Sequence, residues 1–192
     1  MDKKKRLIIF IVLIVLVLSI LLFLIIGNKN NSKKQIKKKN IVPSDKSELV
    51  EYDFFYQSVN GDYLIPLKKK VEKFGDMKDQ IKEVVIKLFE GANSKDNKYI
   101  NLFSSKIRLN NIFIVNKEIA VVDINREIFT KLLGSSIDEI LTIYSIVDTI
   151  CFNFPYIKGV QIIVDGRQME TLAGHIDISR PLRMDARWIR PI

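Results

Sequence analysis

Residues 7–26 read LIIFIVLIVLVLSILLFLII, twenty positions in which Ser19 is the only polar side chain. At about 1.5 Å of rise per residue, a helix of this length crosses the roughly 30 Å hydrocarbon core of a bilayer. A secretory signal peptide would have an apolar region of about 7–15 residues and a small-residue cleavage site. This run is longer, and Gly27-Asn28-Lys29 after it offers no such site. The sequence therefore predicts an uncleaved, single-pass anchor in the cytoplasmic membrane. The only cysteine lies far downstream, so the anchor's end has no acceptor for a lipid.

The formal charge of +9 suggests a nucleic-acid partner until it is located along the chain. Three lysines and Arg6 stand against Asp2 before the apolar run, and seven lysines against Asp45 in residues 27–47. From Glu48 onward, 20 basic and 20 acidic residues balance. The excess thus flanks the apolar run, where each lysine near anionic headgroups gains about 1 kcal/mol. Nucleic acid is not an expected partner. The flank after the run is the more basic, which by the positive-inside rule favours a cytoplasmic domain. Long domains, however, translocate largely regardless of charge, so charge alone leaves both orientations open.

The chain divides by composition into a short basic tail (1–6), the anchor (7–26), a lysine-rich linker (27–47), a domain (48–183) and a C-terminal tail (184–192). The linker has too little apolar surface to form a core. In the domain, EYDFFYQ predicts a strand, Asn60-Gly61-Asp62 a turn, and YLIPLKKKVEKF a second strand. Met77, Ile81, Val84, Val85 and Leu88 make one stripe of a helix over 76–90, stopped at Gly91. A second helix follows Ser136, with Glu139 three residues on, the spacing of a capping box. Its apolar residues run round more than one face, which predicts burial on more than one side. Between the helices, two β-prone runs flank Asn116-Lys117, a hairpin turn, since Asn tolerates positive φ. Val160–Val164 predicts a further strand, Asp165-Gly166 a turn, and Thr171–Ile178 a returning strand. Taken together, these elements predict an α+β fold: one compact sandwich with two helices packed on a mostly antiparallel sheet.

Residues able to carry chemistry are few. There is one histidine, His175, and one cysteine, Cys151. A zinc site needs more ligands than these, and no phosphate-binding glycine loop or nucleophile elbow is present. Cys151 sits in an apolar pattern, the usual place of a small buried hydrophobe. His175 could be oriented as a base by Asp165 or Asp177, but Ser179, the nearest hydroxyl, comes with no oxyanion device. The residue pattern therefore predicts no catalytic residue, metal or cofactor. In the tail, Arg187 and Trp188 are residue types enriched at interfaces and among hot spots; the segment reads as a solvated C-terminus and is also the best local candidate for a docking segment.

Several segments together resemble the GerM domain of bacterial sporulation and germination proteins. They are the hairpin strand AVVDIN, the helix SSIDEILTIYSIVDTICFNFP with its Asp148-Thr149-Ile150 step, and IKGVQIIVDGRQMETLAGHIDISRPL. In the last of these, Asp165-Gly166, Gly174-His175 and Pro181-Leu182 occupy the family's places. The resemblance covers roughly residues 50–183. It implies an extracytoplasmic domain without known catalysis, similar in fold to the ring-building domains of secretion-system and sporulation-channel proteins. The expected partners are the chain itself or other envelope proteins, with Asp165, Gly166, Gly174, His175, Asp177, Arg187 and Trp188 as structural or interaction residues. The alternative is a protein that binds or processes peptidoglycan through polar groups around Asp165, His175 and Asp177.

Overall fold

The computed structural model describes residues 48–92, 97–132 and 135–190; the anchor read at 7–26 and the linker at 27–47 lie outside the described residues. Among the described residues no helix is long and apolar enough to cross a membrane. Among the described residues, seven strands and two α-helices follow in the order β1 (Leu49–Ser58), β2 (Leu64–Glu72), α1 (Met77–Phe89), β3 (Tyr99–Ile100), β4 (Leu109–Val115), β5 (Ile119–Ile124), α2 (Ser136–Asn153), β6 (Gly159–Val164) and β7 (Arg167–Gln168).

The strands form two sheets, where the sequence pattern led us to expect one. The first has the order β2-β1-β3 and is antiparallel. The second has the order β4-β5-β6-β7, with β5 and β6 parallel and the outer pairs antiparallel. The parallel pair requires a crossover, and α2 supplies it.

Why two sheets do not merge into one is visible at the side of β1. There β1 is flanked by α2 in the position a further strand would take. Phe55 N–H donates to Thr149 Oγ1 (3.1 Å), and Ser145 Oγ donates to Phe55 O (2.6 Å). Asp53 N–H donates to Asn153 Oδ1 (3.0 Å), and Asn153 Nδ2 donates to Asp53 O (2.6 Å). Ser145, Thr149 and Asn153 are spaced four apart and so share one helix face. Three side chains thereby satisfy four backbone groups of a strand edge, groups that would otherwise be costly to bury.

Most of the other residues of α2 are apolar and share one core with both sheets. Ile143, Ile146, Val147 and Ile150 are inaccessible to solvent, together with Phe54 and Tyr56 of β1, Ile81, Val84 and Leu88 of α1, and Val122, Val160 and Ile112 of the second sheet. This all-round burial is what the apolar residues on several faces of α2 predicted.

Both predicted hairpin turns form. Asn116 and Lys117 have φ of 51° and 62°, and Glu118 N–H returns to Val115 O at 3.1 Å. Asp165 and Gly166, at φ 47° and 73°, join β6 directly to β7, so that Val164 faces Arg167. That turn displaces the expected returning strand. β6 is paired at once by Arg167-Gln168, and Thr171–Ile178 is left without strand structure. Farther along, Leu182 makes a bridge to Val160.

Candidate functional site

The segment that does not become a strand wraps around the start of α2. Helix α2 is capped by Ser135, whose Oγ accepts from Ile137 N–H (3.2 Å); the sequence spacing had pointed to Ser136 and a capping box with Glu139. With the cap one residue earlier, Glu139 does not close a capping box; it stays in the first turn and points into the protein, where it is inaccessible to solvent.

Its carboxylate holds the 171–178 loop. Oε1 accepts from Leu172 N–H (3.0 Å) and Ala173 N–H (2.8 Å), and Oε2 from His175 N–H (2.8 Å). The His175 ring places Nδ1 2.8 Å from the same Oε2. Gly174, at φ 97°, turns the chain so that amides on both sides of it point at one carboxylate, and Thr171 Oγ1 accepts the Gly174 N–H (3.0 Å). Burial pushes the Glu139 carboxyl up, and the hydrogen bonds from Ala173, His175 and Leu172 outweigh it, leaving the group below its ordinary value. A carboxylate already accepting three amides has only acceptor oxygens to offer, so Nδ1 carries a proton and donates to Oε2.

His175 is therefore paired with Glu139, and neither Asp165 nor Asp177 is its partner. Asp165 lies in the β6–β7 turn, where Oδ2 accepts from Arg126 Nε at 3.0 Å. The Arg126 hydrogen bond holds its carboxyl below the ordinary range. Gly166 N–H is taken by Asp123 Oδ1 (2.9 Å). Asp177 closes on its own neighbour, accepting from Ser179 N–H (2.8 Å) and Ser179 Oγ (2.6 Å). That hydroxyl donates to a carboxylate two residues away and makes no hydrogen bond to His175. The loop is further pinned by Gln161 Nε2 to Ile178 O (2.6 Å) and by Gln168 Nε2 to Ser179 O. Among the described residues no group of three or more His, Cys, Asp or Glu side chains is placed to hold a metal ion.

The C-terminal segment lies along α2 and β2. Asp185 N–H donates to Asp148 Oδ1 (3.0 Å), Trp188 packs on Tyr144 with ring centroids 6.3 Å apart, and Arg190 N–H donates to Leu64 O (2.8 Å). Arg187 turns back on Asp185, with Nη2 2.6 Å from Oδ2. Thus Trp188 is engaged with its own domain, and Arg187 is an exposed ion pair. The segment rests on a buried carboxyl: Asp148 is inaccessible to solvent and its Oδ2 has no hydrogen-bond partner in the protein. Burial pushes this carboxyl up to about 7. Burial likewise pushes the Cys151 thiol up to about 11, which suits the packing role read from its surroundings and not a nucleophile.

Sequence reasoning named Glu139 as part of a capping box and Asp148-Thr149 as part of a family step. It missed the burial of both acids and the face that Thr149 makes with Ser145 and Asn153 to cover β1. Their signal was present in the helix itself, as polar residues at four-residue spacing and two acids inside an otherwise apolar segment.

Comparison with known proteins places the domain. The sequence model of the Germane family, described as sporulation and spore germination, matches residues 53–170. Three solved structures share the fold. The first GerMN domain of the sporulation protein GerM from Bacillus subtilis is 20% identical, with a TM-score of 0.58 over 70% of this chain and 97% of that one. The tandem GerMN domains of the same protein are 17% identical, with a TM-score of 0.54; the match covers 71% of this chain and 46% of that one. A putative lipoprotein from Clostridium perfringens is 20% identical, with a TM-score of 0.52 over 76% of this chain and 94% of that one. No curated protein matches the chain. The family match spans more than half of the sequence, from β1 through the Asp165-Gly166 turn, and the chain is therefore a member of the Germane family of sporulation and spore-germination domains.

Proposed function

We propose that this chain is a non-enzymatic interaction module of the bacterial cell envelope. In this reading it is held in the cytoplasmic membrane by residues 7–26, with the domain outside the cytoplasm, and it assembles with itself or with other envelope proteins. One observation carries the reading. The polar groups that the sequence offered for chemistry are spent on building the domain, with Glu139 taking three amides and the His175 ring. A carboxylate engaged in this way orients a loop, and the loop supplies a rigid surface. Membership of the Germane family supports a place in sporulation or germination. The orientation and the single-pass topology rest on the twenty-residue apolar run and on the family's extracytoplasmic setting.

The experiment is crosslinking in intact cells producing the full chain, with a reporter fused after Ile192. Crosslinks to itself or to envelope proteins, and a reporter active only outside, are the expected results. A chain that crosslinks to nothing, or a reporter active inside, overturns the reading.

A second reading, binding or processing of peptidoglycan, has one observation in its favour. The ring of His175 is about half exposed while its Nδ1 is held by a buried carboxylate, the arrangement that orients an imidazole base. Asp177 and Ser179 line a shallow cleft with Glu170 and Thr171 in the same loop region. Peptidoglycan pull-down and a zymogram of the full chain against its His175→Ala variant decide it. Lysis that disappears in the variant would replace the scaffold reading.

A further inference from the structure

The structure points to a second membrane contact, made by the folded domain itself. We infer that the end of the domain where the chain enters β1 docks on the lipid headgroup region, with Phe152 and Tyr156 as interfacial anchors. This inference rests on the membrane-anchored reading above.

The argument starts from where exposed apolar side chains stand. Eight large hydrophobic residues are exposed among the described residues. Five of them, Leu49, Val115, Phe152, Tyr156 and Met184, gather at one end of the fold. The placement follows from the pairing. Helix α2 runs antiparallel to β1, since Ser145 and Thr149 meet Phe55 and Asn153 meets Asp53. The end of α2 therefore lies at the start of β1, where Phe154 stacks on Tyr52 at 5.6 Å and Leu49 is the first strand residue. Lys158 N–H donates to Glu118 O (2.7 Å), which ties the exit of α2 to the β4–β5 turn beside Val115. Cys151, Pro155, Lys158, Arg183 and Met184 line one cleft there. Val59 and Ile100 stand at the opposite end, where β1 finishes and β3 pairs with it.

Tyr156 is 78% exposed and Leu49 57%, unusual for residues so close to a core. Phe152, 48% exposed, keeps an edge against the Phe55 ring, with centroids 5.3 Å apart. A tyrosine with a phenylalanine a turn away, rimmed by Lys117, Lys158 and Arg183, is the composition that settles at a membrane–water interface. What selects lipid over a protein partner is the position of chain entry. This same end receives residues 27–47, and beyond them comes the apolar run. Fully extended, 21 residues reach no more than about 75 Å. The bilayer is therefore always within reach of this end, at a high effective concentration. Seven lysines in that stretch draw the same end toward anionic headgroups.

The test uses the full chain in nanodiscs of phosphatidylcholine with phosphatidylglycerol. In a Cys151→Ala background, a nitroxide is placed at Glu118→Cys, beside the proposed contact, or at Val59→Cys, at the opposite end. Docking predicts that the label at 118 loses accessibility to a water-soluble nickel chelate and gains it to oxygen, while the label at 59 does neither. Replacing Phe152 and Tyr156 by serine should restore water accessibility at 118. A protein that resists alkaline extraction but shows equal water accessibility at 118 and 59 overturns the docking and leaves the anchor standing. A protein released by alkaline carbonate overturns both. Protection at 118 that survives the double serine variant overturns the assignment to these two residues.

Discussion

Glu139 Oε2 receives both the backbone N–H and the ring Nδ1 of His175, each at 2.8 Å, so one buried oxygen fixes both the main chain and the side chain of the only histidine. Four hydrogen bonds converge on the Glu139 carboxylate, and its removal leaves the buried Leu172 amide without an acceptor.

Glu139→Ala should destabilise the domain by about 1–3 kcal/mol, since the buried Leu172 amide loses its acceptor while the amides of Ala173 and His175 lie on an exposed stretch that water reaches. His175→Ala keeps the backbone bond and should cost only about 1 kcal/mol. Urea unfolding of the two variants measures the difference, and hydrogen exchange at Leu172, Ala173 and His175 should accelerate in the first far more than in the second. Because the folded Glu139 carboxyl is held below its ordinary value, its contribution is present above the unfolded pKa of about 4.3 and is lost as pH falls through the folded value.

Asp148 carries the opposite sign. Its folded carboxyl is pushed up to about 7 by burial, so the folded state holds its proton more tightly than the unfolded state does. Its contribution therefore falls as pH rises from about 4 to about 7, by at most about 4 kcal/mol. Asp148→Asn removes the charge and should flatten that part of the stability curve. Thermal unfolding of the two proteins at pH 5 and pH 8 checks it. An unchanged pH dependence in the variant would place the effect elsewhere.

Thr149→Val preserves shape and removes the acceptor for Phe55 N–H. The expected cost is about 1–3 kcal/mol, the penalty of an unpaired buried donor. Exchange of the Phe55 amide is the specific readout, since general loosening of α2 would speed the amides of the helix as well.

Lys117 adopts φ 62° in the β4–β5 turn, a region where a side chain costs roughly 1–2 kcal/mol. Lys117→Gly creates the Asn-Gly pair that such turns favour. It should raise stability by about 0.5–1 kcal/mol after the added entropy of the unfolded chain. Chemical denaturation measures this directly.

These residues also show what the sequence could and could not reveal. Asn116-Lys117 and Asp165-Gly166 were legible as turns because positive φ selects residue types locally. The two helices were legible from apolar spacing. The division into two sheets was not, because it depends on three polar side chains of α2 meeting a strand about 90–100 residues earlier. Glu139 was misread for a subtler reason. Ser135 and Ser136 are both able to cap, and a shift of one residue turns the acid from a capping position toward the core. The loop at 171–178 alternates like a strand, yet strand pairing had already been taken by Arg167-Gln168.

The docking of β1 against α2 also sets an order of events in biosynthesis. The β1–β2 hairpin emerges from the ribosome early, but the middle of the outer side of β1 is covered only by Ser145, Thr149 and Asn153. β3 pairs only Gln57 and Ser58 on that side, so for about 90 residues of synthesis, at roughly 5–20 residues per second, the Asp53–Phe55 stretch has no partner of its own. An unfinished chain of this kind can pair with another strand, which is the usual route to aggregation. Premature termination before α2 should therefore yield insoluble product, and premature termination after Asn153 a chain whose first sheet is already closed.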